Sequence, residues 1–413
     1  MNETKYAVGV DVGTDVVKVV IGQAGVNASD KQITIVGVGT AENSGMRKGS
    51  IVDPNKTAEA IDKALDAAER TSGYQIDRAA VSINGSHIVG LASQGVIAIG
   101  VGGQPIGHDE LRRVEEAATV VQLPANREIL DVTPRSYKLD SQDNIRDPFG
   151  MTGVRLEVDA YMITALVPNV KSMEKVLDMV ELSSRQMVVG GIAAARAVLA
   201  DNLRENGVVL IDIGATTTNV AVFEDGDIMH VAVLPVGSNN ITNDLAIGLK
   251  TDLDIAEKVK IEHAIAAPEL RRGSSGRVTV KVGRGDEARE LSFDTAIVDE
   301  IVEARLSEIF ELVNRELKKI KRLAKLPGGA VITGGGAKLR GIADYAREIL
   351  NMNAHVGKPP RFEGIIEQIS DPSFATVVGL MLIDLDSAPS EGKRRSGGGL
   401  FGGLMSLFKK RSK

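Results

Sequence analysis

A stretch near the start of the chain recurs near its middle. Val8-Gly9-Val10-Asp11-Val12-Gly13-Thr14-Asp15-Val16-Val17-Lys18-Val19-Val20 is echoed by Val209-Leu210-Ile211-Asp212-Ile213-Gly214-Ala215-Thr216-Thr217-Thr218-Asn219-Val220-Ala221-Val222. Each copy reads as a buried apolar strand, a tight turn carrying Asp, Gly and hydroxyl residues, and a second strand rich in β-branched residues. That is a hairpin, not the strand-to-helix entry of a dinucleotide-binding unit. A chain whose halves begin alike implies two lobes with a cleft between them.

The turns carry chemistry. Asp11-Val12-Gly13-Thr14-Asp15 offers backbone N–H groups and a hydroxyl around a glycine that permits close approach, as a phosphate oxygen requires. Asp212-Ile213-Gly214-Ala215-Thr216-Thr217 offers the same from the other lobe. Asp11 and Asp212 end buried strands, where a lone carboxylate is unfavourable; both are reasonable if they hold waters on a Mg²⁺ that bridges phosphates. Gly334-Gly335-Gly336 follows an apolar strand ending at Thr333, and its missing side chains let a nucleoside lie against the main chain. Glu257 and Lys260 are three apart on a predicted helix and share a face from which ribose or adenine is in reach. Taken singly, these are a turn, a helix entry and a surface ion pair. Taken with the repeat, they point to a metal–nucleotide.

Composition narrows the classes. At 413 residues, 43% hydrophobic and 25% charged, the chain can bury the cores of two or three domains. The absence of cysteine excludes disulfides and thiolate metal sites and fits a reducing compartment. A net charge of −6 and 3% aromatic residues give nucleic acid little to bind, so no nucleic-acid partner is expected. Neither a signal-peptide pattern nor a run of about 20 apolar residues is present, which predicts a cytoplasmic chain that does not span the bilayer.

Helical periodicity predicts a helix over 54–73, capped by Asp53 and Pro54. From about 84 to 164 the texture changes to short glycine-rich strands and one helix near 109–121, which reads as an inserted domain. Helices are expected over 169–182, 192–203 and 240–263. Strands near 278–282 and 291–293 and a long helix over 294–326 suggest a second insert. The run 387–399 is a basic Gly/Ser linker. After it, Leu400, Phe401, Leu404, Met405, Leu407 and Phe408 fall on one side of a helical wheel turned at about 100° per residue, with Lys409 and Lys410 outside that arc and Arg411 adding to the basic flank. Too short to span a bilayer, this reads as an interfacial helix for an anionic phospholipid surface.

Two phosphate hairpins, a Gly-Gly-Gly turn and Ala256-Glu257-Lys258-Val259-Lys260 stand in the order seen in the actin, Hsp70 and sugar-kinase superfamily. Residues 82–88, 127–137 and 148–156 are similar to the insert peculiar to the FtsA family, and with the terminal helix the resemblance covers nearly the whole chain. It implies an α/β, two-lobed actin-like ATPase fold of duplicated RNase H-like lobes. The first lobe would comprise 1–83, 166–195 and 369–386, the inserted subdomain 84–165, the second lobe 196–246 and 326–368, and its outer subdomain 247–325. By the same resemblance Asp11, Gly13, Thr14 and Lys18 form the first phosphate motif, Asp212, Gly214, Thr216 and Thr217 the second, and Gly334, Gly335 and Gly336 the adenosine motif, with Glu257 and Lys260 as nucleoside contacts.

The implied ligands are ATP and Mg²⁺. The implied role is a polymerising scaffold that anchors FtsZ filaments to the cytoplasmic face of the cell membrane at the division site and recruits other division proteins. Its FtsZ-facing surface would lie between about 244 and 325. Ala215 stands where a glycine is common, and no glutamate or glutamine can be assigned as the residue that orients an attacking water, so catalytic residues stay unassigned and a weak ATPase is the most implied. The rivals are a PilM-like pilus-assembly homologue, expected to lack the terminal helix, and a sugar-kinase-type phosphotransferase, expected to turn over ATP with an acceptor.

Overall fold

The structure is a computed structural model that describes residues 5–25, 33–100, 104–267, 276–282, 289–365 and 367–387. The expected amphipathic helix at 400–413, and the linker after Ser387, lie outside those residues.

The repeated hairpins begin two sheets of the same topology. In the first, Lys5–Val12, Val16–Ala24 and Ile33–Glu42 form an antiparallel meander; Arg78–Ile83 pairs parallel with Lys5–Val12, and Ser183–Val189 parallel with Arg78–Ile83. In the second, Val208–Ile213, Thr218–Glu224 and Asp227–Leu234 form the meander, and Ala330–Thr333 and Ala354–Val356 add the parallel strands. Numbered within each sheet, the order is third, second, first, fourth, fifth in both, with Glu363–Gly364 added at the edge of the first. All six residues of Val208–Ile213 are buried, because layers cover both faces of the sheet and alternation is not required.

The additions differ. In the first half the chain leaves after Arg78–Ile83 to build an antiparallel sheet of Val89–Ala98, Arg155–Leu166, Arg127–Leu139 and Gln142–Ile145, covered by helix His108–Thr119 through Val114 and Ala118. These strands are longer than the short ones expected. In the second half the chain departs after the third strand, into helices Ser238–Leu249 and Leu253–His263, the hairpin Arg277–Val282/Arg289–Asp294 and helix Thr295–Lys319. The inserted sheet reaches across to the second lobe. Arg135 donates to the carbonyls of Ile228 and Met229 at 2.8 Å each, and Tyr161 Oη accepts from Val231 N at 2.9 Å. Asp227–Leu234 is an edge strand, and these bonds satisfy main-chain groups that would otherwise be open to another strand.

Helix Pro54–Ser72 starts where expected, with Asp53 accepting from Asn55 N and Lys56 N, and ends at Gly73 in the left-handed region. Three other helix expectations need correction. The span 192–203 holds two helices, Gly190–Val198 and Asp201–Asn206, because Leu199 extends the backbone to bury its side chain between the lobes. The span 240–263 is broken at Lys250, which takes a left-handed conformation (φ 54°). The long helix stops at Lys319, ahead of left-handed Lys321 and Ala324. Strand Ser183–Val189 was not anticipated; its polar start disguises it. No helix among the described residues is long and apolar enough to cross a membrane.

The last helix, Ala375–Ser387, returns to the first sheet. It shares one apolar core with Ala80 and Ile83 of the first sheet, Leu210 and Phe223 of the second, and Ile192 and Ala193 of helix Gly190–Val198. The two helices cross so closely that a Cβ on Gly379 would overlap the Ala193 carbonyl. Gly379→Ala should therefore destabilise the protein by about 3 kcal/mol, as overpacking against fixed backbone does; a thermal melt with an unchanged midpoint would refute the crossing.

Candidate functional site

Between the sheets lies a cleft of about 970 Å³. The duplicated hairpins place their turns on either side of it, and Asp11, Gly13, Thr14, Asp212, Gly214 and Thr217 all line it. The turns also touch. Thr216 Oγ1 donates to Thr14 Oγ1 at 2.9 Å, and Asn239 Nδ2 donates to Asp15 Oδ2 at 2.6 Å. Thr216 thus serves the lobe-to-lobe contact, whereas Thr217 faces the cleft.

Strand pairing explains the electrostatics. In the first hairpin Asp11 stands directly across from Lys18; in the second, Asp212 stands across from Asn219. The repeat is symmetric in position and asymmetric in charge. Ser82 Oγ donates to Asp11 Oδ1 at 2.8 Å, and Asn219 Nδ2 donates to Asp212 Oδ2 at 3.0 Å. Burial raises the pKa of Asp11, with Lys18 and Ser82 pulling the other way. Asp212 is 6% exposed, and burial together with the charge of Asp11 pushes it up to about 6. Two carboxylates and one lysine leave an excess of negative charge at the centre of the cleft.

The remaining wall comes from the second lobe. Gly334 adopts φ 85°, and a Cβ there would strike the Asp212 carboxylate, while one on Gly336 would strike Ile213. A Cβ on Gly335 would meet nothing within 4 Å. Packing accounts for the outer two glycines, and the middle one leaves the cleft wall open to a flat ligand. Glu257 and Lys260 line the cleft and pair at 2.6 Å, and Thr242 Oγ1 bonds to both, at 2.5 Å and 2.8 Å. Every expected cleft residue is thus at or beside one cavity. Missed were Asn219, Asn239, Ser82 and Thr376. Asn219 was discoverable, since it falls in the second repeat where Lys18 falls in the first. The membrane residues, Leu400 to Arg411, lie outside the described residues.

A family model described as "Cell division protein FtsA" matches residues 209–379, and one described as "SHS2 domain inserted in FTSA" matches 85–164. The chain is 35% identical to the cell division protein FtsA of Pseudomonas aeruginosa over 92% of its own length and 89% of that protein. The chain belongs to the FtsA family of cell-division proteins. The Bacillus subtilis FtsA is also 35% identical, over 95% of this chain and 87% of its own, and the Escherichia coli FtsA 28%, over 92% and 90%. Among solved structures, a PilM–PilN type IV pilus biogenesis complex aligns with a TM-score of 0.64 at 18% identity, over 92% of this chain and 98% of that one. MreB5 of Spiroplasma citri aligns at 0.52 and 12% identity, over 91% and 94%. At such identities these likenesses speak to fold, which is that of the actin-like ATPases. This FtsA-family chain is therefore an actin-like cell-division protein, of a fold family that implies nucleotide binding.

The raised pKa of Asp212 has a signed consequence. A carboxyl that holds its proton more tightly when folded adds stability below its unfolded pKa, near 4, and that contribution is lost as pH rises through about 6. Without ligand at pH 8, Asp212→Asn should therefore raise the melting midpoint, relieving up to about 3 kcal/mol. The gain should shrink between pH 6 and pH 4; a gain independent of pH would remove electrostatics as its cause.

Proposed function

We propose that this protein binds ATP with Mg²⁺ between its lobes, assembles with copies of itself, and anchors FtsZ filaments to the cytoplasmic face of the cell membrane at the division site. The carrying observation is the pair of facing turns, each with a carboxylate at its root, in a chain of the FtsA family. Asp11 and Asp212 fit a divalent cation: a +2 charge between them would relieve their mutual repulsion. Among the described residues no three His, Cys, Asp or Glu side chains gather as a metal cage. Mg²⁺, which keeps several waters and takes phosphate oxygens, suits such a sparse set. When bound it would neutralise phosphate charge; Gly13, Thr14, Gly214 and Thr217 would supply N–H and hydroxyl donors, and Gly335 would leave room for adenosine.

The division proposed is a first lobe of 1–83, 166–195 and 369–386, an insert of 84–165, a second lobe of 196–246 and 326–368, and an outer subdomain of 247–325. The outer subdomain would meet FtsZ. Leu400, Phe401, Leu404, Met405, Leu407 and Phe408 would enter the lipid interface, with Lys409, Lys410 and Arg411 against anionic headgroups; each basic residue contributes about 1 kcal/mol there. The pilus-assembly reading rests on fold likeness alone, and nothing favours a phosphotransferase.

Co-sedimentation with anionic liposomes and Mg-ATP tests the tether. The intact chain should carry FtsZ into the pellet, and a truncation after Gly399 or a Phe401→Asp, Phe408→Asp variant should reduce lipid binding at least about tenfold. Equal partitioning of all three would end the tether reading.

A further inference from the structure

Three of the four expected elements of the nucleotide site, the two hairpins and the adenosine turn, touch one short segment that sequence motifs did not single out, Asp371–Thr376, which leads into the last helix. The first phosphate hairpin reaches it through Lys18, whose Nζ donates to the Ser373 carbonyl at 2.6 Å and lies 5.1 Å from the centre of the Phe374 ring. The second reaches it through Asp212, which accepts from Thr376 Oγ1 at 3.4 Å. The adenosine turn reaches it twice: Gly334 N donates to the Pro372 carbonyl at 3.2 Å, and Lys338 pairs with Asp371 at 2.9 Å.

The segment is itself rigid. Asp371 Oδ1 accepts from Ser373 N at 2.9 Å, Pro372 restricts one backbone angle, and Pro372, Phe374 and Thr376 are buried. Ser373 and Thr376 also line the cleft. A lysine ammonium has three donors in a rotating head on a flexible stem. Ser373 takes one donor and the Phe374 ring lies beside the ammonium head, so the other two donors are left for acceptors in the cleft. Asp212 is held likewise, by Asn219 from its own hairpin and by Thr376 from the opposite lobe.

We propose that Asp371–Thr376 is a fifth element of the nucleotide site, in which Phe374 and Thr376 are positioning residues that hold Lys18 toward the polyphosphate and Asp212 toward its cation. This rests on the Mg-nucleotide reading above. Binding energy that would otherwise order two flexible charged side chains is then available to the ligand.

Calorimetric titration of the full chain with ATP, in Mg²⁺ and in EDTA, tests it. In Mg²⁺, Thr376→Val should weaken binding about tenfold, the loss of one hydrogen bond to a charged group, and Thr376→Ser should restore it. In EDTA the Thr376→Val deficit should disappear, since Asp212 acts through the cation. Phe374→Leu should weaken binding about threefold in both media, because Lys18 meets the phosphates directly. Thermal melts without ligand identify any variant that fails to fold, and Phe374→Leu then decides alone. Binding of Thr376→Val equal to wild type, equal loss in the Val and Ser variants, or an unaffected Phe374→Leu overturns the proposal and leaves the nucleotide reading standing. A wild-type protein that binds no ATP overturns both.

Discussion

Asp11 and Asp212 stand at the roots of opposed hairpins, poorly hydrated and within each other's field, with Lys18 as the cation that both sense. Left to themselves, two such carboxylates repel and take up protons more readily. The protein tolerates the arrangement because each is tied to a fixed donor, Ser82 for one and Asn219 for the other. The rest of the molecule can be understood as the framework that keeps these charges facing one another without letting them relax.

That framework has three layers. The apolar core shared by both sheets and the two crossing helices sets the angle between lobes, and its close packing leaves little room for slow drift. The Thr14–Thr216 and Asp15–Asn239 bonds, each joining residues roughly two hundred positions apart, tie the two turns to each other across the lobes. The inserted sheet, covalently part of the first lobe, caps the edge strand of the second through Arg135 and Tyr161.

The duplication was legible because a hairpin is a local object: its β-branched runs, its turn glycine and its hydroxyls sit within about fifteen residues. Repetition doubled the signal and located Asp11 and Asp212 before any contact was known. Helix boundaries were less legible where a single residue leaves the helix to satisfy a tertiary need, as Leu199 does by turning into the interlobe core. Strand Ser183–Val189 escaped because partners on one side only, together with exposed polar residues at its start, produce no clear period.

By itself the sequence determined the existence of two lobes, the turns that face each other and a basic amphipathic C-terminal pattern, which follow from short-range periodicity and residue type, while the class of fold came from the resemblance of its motif order to the actin, Hsp70 and sugar-kinase superfamily. Only the tertiary structure decided which hydroxyl faces the cleft and which clasps the other lobe, why Gly335 differs from its neighbours, and that Asp371–Thr376 meets both hairpins and the glycine turn. Those outcomes depend on pairing register and on contacts between residues hundreds of positions apart, and neither leaves a pattern along the chain.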